Sequence, residues 1–117
     1  MEGTNAQEDA ISKLMADEYA GRILSTTHKR PLSVQYLSKV CGIPIAVAYR
    51  RVGRMEEVGL LKCVRQEEVF RGKKVKYYQC AVRVLKFIFA EGRFGIEVEW
   101  LPEEEFLVMP EPMCEKA

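Results

Sequence analysis

Three arginines, Arg50, Arg51 and Arg54, fall within five positions of one another, in a segment bounded by Pro44 and Gly59. A second basic group, Arg71, Lys73 and Lys74, surrounds Gly72, and Lys76 lies just behind it. Guanidinium groups donate paired hydrogen bonds to planar acceptors, and ammonium groups act as point charges toward anions. Both clusters are therefore suited to holding an anionic partner rather than to turning over a substrate. The remaining reactive side chains offer little. His28 is the only histidine, and beside Lys29 and Arg30 it reads as a loop residue. The sequence shows no Ser-His-Asp group, no paired-carboxylate motif and no phosphate-cradling glycine loop. Gly92-Arg93-Phe94-Gly95 reads as a turn. We expect no enzyme, no cofactor and no metal. Cys41, Cys63, Cys80 and Cys114 have no Cys-x-x-Cys spacing, so zinc is not signalled.

The elements that position the basic clusters can be read from pattern. Ile11, Leu14 and Met15, then Tyr19, Ile23 and Leu24, recur at helical spacing. Asp17 is a possible cap inside this stretch, so one bent helix or two short ones both fit. Pro31 ends it. Ser33 is an N-cap for a short helix carrying Val34, Leu37, Val40 and Cys41, and Gly42 follows where a left-handed residue is needed. Pro44 suits the first turn of a second helix that runs to about Val58. Its core face is Ala48, Val52 and Met55, spaced i, i+4 and i+7. Ala46, Arg50, Gly53 and Arg54 then lie opposite, Val47 and Tyr49 flank them, and Arg51 sits near the boundary within reach of a phosphate.

From Leu60 the period changes. Residues 61–70 and 74–82 are rich in β-branched and aromatic residues and flank the turn Arg71-Gly72-Lys73. A second hairpin is expected over residues 84–100, with Glu91-Gly92-Arg93 at its tip. Two short helices joined by a tight glycine-containing turn and followed by a hairpin describe a winged helix-turn-helix, an α+β fold.

The 117 residues suit one domain, and the formal charge of +1 conceals a segregation. Residues 22–86 hold fifteen Lys and Arg against four Glu, a net +11, whereas residues 1–21 carry −4 and residues 87–117 carry −6. A basic centre between acidic flanks points to a polyanion. No apolar run reaches the roughly 20 residues of a membrane span, and the N-terminus lacks a signal peptide's apolar stretch. The cytoplasm is the expected location, with cysteines reduced.

The stretch Asp17-Glu18-Tyr19-Ala20-Gly21-Arg22-Ile23-Leu24, then Pro31-Leu32-Ser33, Tyr49-Arg50-Arg51-Val52 and Met55-Glu56-Glu57-Val58-Gly59-Leu60-Leu61, resembles archaeal ArsR-like winged-helix transcription regulators over about residues 14–82. The resemblance implies a cytoplasmic, dimeric regulator that binds duplex DNA. Metal-sensing members carry paired cysteines on the recognition helix or His and Asp clusters on a last helix. Residues 44–58 hold neither Cys nor His, and this chain is expected to end in strands. The resemblance therefore extends neither to metal sensing nor to a C-terminal helical dimer contact.

These readings divide the chain into a flexible N-terminus at 1–8, a winged helix-turn-helix domain at 9–82, a hairpin and possible dimer contact at 83–101, and an acidic tail at 102–117. The expected function is a sequence-specific, double-stranded DNA-binding regulator. Its contacts are expected from Ser33, Ala46, Val47, Tyr49, Arg50, Arg51, Arg54, Arg71, Lys73 and Lys74. The alternative is a winged-helix protein-interaction module that reads no bases. A homodimer is expected, joined by the first helix (Ile11, Leu14, Met15) and the second hairpin (Phe87, Phe89, Phe94, Ile96, Val98, Trp100, Leu101). A two-residue loop at Arg71 and Gly72 would set Cys63 opposite Cys80, within range of a disulfide after slight adjustment.

Overall fold

In a computed structural model, which describes residues 6–106, helix α1 (Ala6–Met15) and helix α2 (Glu18–Lys29) are two separate segments. Asp17 divides them. Its carboxylate accepts from the Tyr19 N–H at 2.9 Å, capping α2 in the manner expected of an Asx residue at an N-terminus. Helix α1 starts earlier than the 1–8 flexible segment allowed. Glu8 and Asp9 favour its first turn, and Gln7 Nε2 donates to the Val58 carbonyl at 2.8 Å, which ties that turn to the body. Residues 1–5 and 107–117, with Cys114 and most of the expected tail, lie outside the described residues.

Helix α3 (Val34–Cys41) and helix α4 (Ile45–Glu57) follow, separated by a short turn. Ser33 Oγ accepts from the Tyr36 N–H at 3.2 Å, and Gly42 adopts φ +68°, the left-handed geometry that only glycine takes without strain. Strand β1 (Leu61–Phe70) and strand β2 (Lys73–Cys80) form an antiparallel hairpin, the wing. Leu32 and Tyr78 exchange both backbone hydrogen bonds, at 3.0 and 2.9 Å, so the α2–α3 linker lies against β2. Strand β3 (Val82–Ala90) and strand β4 (Arg93–Trp100) form a second antiparallel hairpin, followed by a 3-10 turn at Glu103–Glu105. One residue, Ala81, separates the hairpins. Its N–H donates to Leu60 O at 2.9 Å and its carbonyl accepts from the Leu101 N–H at 2.8 Å.

The core gathers Ile23, Leu37, Ile43, Ala48, Val52, Met55, Leu60 and Leu61 from the helices and the root of the wing. Ile11 and Leu14 belong to it as well, at 1% and 4% exposure. This corrects the expectation that the first helix offers its apolar stripe to a partner: the domain uses that stripe to close its own core. Buried Thr27 donates its hydroxyl to Ile23 O at 2.7 Å, so the polar group inside is satisfied.

The wing's turn has the expected two-residue form, with Arg71 at φ +48° and Gly72 at φ +78°, and Phe70 pairs with Lys73. The expected pairing of Cys63 with Cys80 is overturned. Register shifts between Glu68 and Phe70 and between Cys63 and Arg65 each place an extra residue in β1. Cys63 therefore faces Tyr78, and Cys80 faces Leu61. Both thiols are free, Cys63 donating to Arg65 O and Cys80 to Val82 O.

Candidate nucleic-acid interface

Helix α4 is anchored from both sides. At its start, the Ile43 N–H donates to Ser38 O at 3.0 Å and Ser38 Oγ donates to Ile43 O, which fixes the turn from α3. Arg22 Nη1 donates to Cys41 O at 2.8 Å, so α2 holds the end of α3. At the far end of α4, Gly59 turns at φ +91° against the Trp100 ring, and the Leu60 N–H returns to Met55 O at 2.9 Å. Ala48, Val52 and Met55 are buried, as their spacing requires.

With that face inward, Ala46, Tyr49, Arg50, Gly53 and Arg54 are exposed, and Val47 is half-buried against the core. A Cβ built at Gly53 meets nothing within 4 Å, so the glycine is not needed for internal packing and leaves a low surface beside Arg50 and Arg54. Arg54 Nε lies 3.8 Å from Glu57 with both side chains mostly in solvent, a weak pairing that leaves the guanidinium free to reorient.

Arg51 behaves differently from the expectation that it reaches a phosphate. Its guanidinium pairs with Asp17 through Nη2, and both side chains are largely enclosed. Its Nε is buried with no hydrogen-bond partner. Arg51 lies on the side of α4 that turns toward the start of α2, so it joins two helices of the domain. Ser33 is half-buried and its oxygen is used in the cap, which leaves its hydroxyl proton as the group it can offer outward.

At the wing, Arg71, Lys73, Lys74 and Lys76 are all exposed. The Arg71 guanidinium stands 5.1 Å from the centre of the Phe70 ring, which is itself exposed along with Val69. Neither apolar residue is among the expected contacts; their sequence signal is the Val69-Phe70 pair directly before the turn. Arg30, which is not among the expected contacts, has its guanidinium 5.7 Å from the centre of the ring of exposed Tyr36 on α3.

The folded chain sorts the basic centre into two groups. Carboxylates from the flanks neutralise one group. Glu18 pairs with Arg22 at 3.0 Å, Asp17 with Arg51, Glu103 with Lys62 at 2.6 Å, and Glu99 and Glu105 with Arg83 at 3.7 and 2.5 Å. Arg65, within the wing, is answered by Glu67 at 2.5 Å. The other group has no carboxylate partner among the described residues, and includes Arg50 on α4 and Arg71, Lys73, Lys74 and Lys76 on the wing. Cations without a carboxylate partner thus occupy the exposed helix face and the hairpin tip, and also include Lys29, Arg30 and Lys39 around α2 and α3 and Lys86 on β3.

Tyr78, behind this surface, is held neutral. Burial above all, reinforced by the Glu56 carboxylate, pushes its phenol up to about 12. Among the described residues no group of three or more His, Cys, Asp or Glu side chains is placed to hold a metal ion, and no helix is long and apolar enough to cross a membrane.

Residues 15–64 match a family model described as a helix-turn-helix domain. No curated protein matches the sequence. Among solved structures, the chain is similar to the homodimeric winged helix-turn-helix DNA-binding domain of a possible ArsR-family transcriptional regulator from Mycobacterium bovis. Identity is 19%, the TM-score is 0.54, and the match covers 69% of this chain and 76% of that one. Helices α3 and α4 supply the helix-turn-helix, β1 and β2 supply the wing, and the chain has a winged helix-turn-helix fold.

Proposed function

We propose that this chain is a sequence-specific, double-stranded DNA-binding transcription regulator of ArsR-like type, acting in the cytoplasm as a homodimer. The observation that carries the reading is the sorting of charge. Acidic flanks pair with Arg22, Arg51, Lys62 and Arg83, while Arg50 and the wing-tip cations have no carboxylate partner among the described residues. Arg50 and Arg54 donate to guanine O6 and N7 in the major groove, the contact for which a bidentate guanidinium is best shaped. Ala46 and Gly53 let α4 approach closely, Val47 supports its flank, and Tyr49 and Ser33 offer hydroxyls to phosphate. Arg71, Lys73 and Lys74 hold the backbone from the wing. Arg51 acts as a positioning residue that fixes α4 against α2.

The dimer follows from the reach of one helix, which covers only a few base pairs; proteins of this architecture read two half-sites as symmetric pairs. The M. bovis relative is itself described as a homodimeric DNA-binding domain. The test is selection of sheared genomic DNA by the full chain, with sequencing of recovered fragments. A shared, near-palindromic motif is the expected result. Recovery without any enriched motif would refute sequence-specific reading, and no recovery at moderate salt would refute DNA binding.

A further inference from the structure

The second hairpin presents a face that its own chain leaves half covered. Cross-strand pairing sets Leu85 against Val98, Phe87 against Ile96 and Phe89 against Phe94. Side chains alternate along each strand, so these six share one face and it carries no charge. The opposite face holds Lys86 paired across to Glu97, and Ala90 across to Arg93. Near the root, Leu85, Ile96 and Val98 pack onto the domain core. Toward the tip the same strip runs into open solvent, where Phe87, Phe89 and Phe94 are 57%, 62% and 81% exposed. The Phe89 and Phe94 ring centres lie 4.7 Å apart and tilted by 47°, a contact that aligns them as one slab.

Such a face requires a cover on two counts. A two-stranded hairpin is at best marginal in water unless a further layer packs on its apolar face. The exposed portions of the three rings amount to roughly 400 Å² per chain, taking about 200 Å² for a phenylalanine. An apolar patch of that size on a small domain marks a contact surface.

From this we infer that the covering layer is the same face of a second copy, so that two hairpins stack as a small sandwich about 10 Å thick around a twofold axis. An uncharged, wholly aliphatic and aromatic strip gives an ionic partner nothing to pair with, whereas an identical strip matches it in kind. The rings of two copies would bury roughly 800 Å², about half of a standard stable interface, and the Ile96, Val98 and Trp100 edges extend the same surface. The inference rests on the homodimer reading above and names the surface that makes it.

The experiment is light scattering of the full chain at micromolar concentration, alongside Phe89→Glu and Phe94→Glu, separately and combined. The expected result is about twice 13.4 kDa for the parent chain and a single 13.4 kDa chain for the double variant. Because the rings lie outside the core, helical circular dichroism should be kept. In a second measurement, Phe94→Cys should form an interchain crosslink on mild oxidation that is reversed by reductant. A double variant that remains a dimer, or a Phe94→Cys chain that does not crosslink, overturns the hairpin interface while leaving the dimer standing. A monomeric parent chain overturns both, including the case in which its own residues 107–117 cover the face.

Discussion

The Asp17 carboxylate holds the Arg51 guanidinium with one oxygen while the other accepts the Tyr19 N–H that caps α2. One side chain thereby starts a helix and fixes the orientation of α4. Asp17→Ala removes both interactions. The cap alone contributes about 1 kcal/mol, and an enclosed arginine stripped of its partner adds a further cost of about 1–3 kcal/mol. Asp17→Asn keeps the cap and loses the ion pair, so its loss should be the smaller of the two. Urea denaturation of both variants checks the order; equal stability of Asp17→Ala and the parent would contradict it.

Arg50 and Arg51 are adjacent in sequence and should separate in function. Arg50→Ala should lose roughly 1–3 kcal/mol of discrimination between the selected operator and a base-substituted one, with the fold unchanged. Arg51→Ala should instead lower stability, and any loss in DNA affinity should be shared by all sequences. Fluorescence anisotropy on matched and mismatched duplexes, with thermal melts of the proteins, separates the two.

The wing cations should act without regard to sequence. Lys73→Ala or Lys74→Ala should weaken binding to every duplex alike and reduce the slope of log K against log salt by about one for each phosphate contact removed. Titrations at three or four salt concentrations measure this. A variant that changes operator preference and leaves the slope alone would place the wing tip on base edges.

Tyr78 gives a pH prediction. Its phenol ionises near 10 in the unfolded chain and at about 12 in the folded one. Between those values the folded state keeps a proton that the unfolded state has lost, so stability is full below about pH 10 and falls toward pH 12. The two-unit difference corresponds to about 2–3 kcal/mol. Urea melts of the parent and Tyr78→Phe at pH 9 and pH 11 isolate this from other groups. The parent should lose more stability than the variant over that interval, and parallel losses would reject the assignment.

The helix-turn-helix was legible because local rules suffice for it. Ser33, Gly42 and Gly59 each act through geometry within a few residues of themselves, and the i, i+4, i+7 spacing of Ala48, Val52 and Met55 fixes which side of α4 faces out. The division at Asp17 was visible as an alternative, since Asp caps helices at short range. What escaped depends on contacts distant in sequence. Nothing near Arg51 announces Asp17, thirty-four positions earlier, so its face on a helical wheel suggested solvent. The Cys63–Cys80 register failed because bulges depend on the packing of both strands, and no residue type in β1 marks them. The segregation of charge was plain in the sequence, but the pairing of flank carboxylates with particular cations emerges only when the ends fold back.

Ala81 has a consequence for how the molecule measures length. Strands β2 and β3 follow one another through the single residue Ala81, with both of its backbone groups committed at the joint. At about 3.3 Å per residue the two strands laid end to end are comparable in length with the domain's longest axis of 54 Å. One end is the tip proposed to hold DNA and the other the tip proposed to join subunits. In such a dimer, strand length is a ruler: trimming two cross-strand pairs from the second hairpin, which keeps its apolar residues on one face, shortens that arm by about 7 Å, about the rise of two base pairs. Operator spacing is then written in the number of residues between Val82 and Trp100, and a chain with a longer second hairpin should prefer half-sites set farther apart.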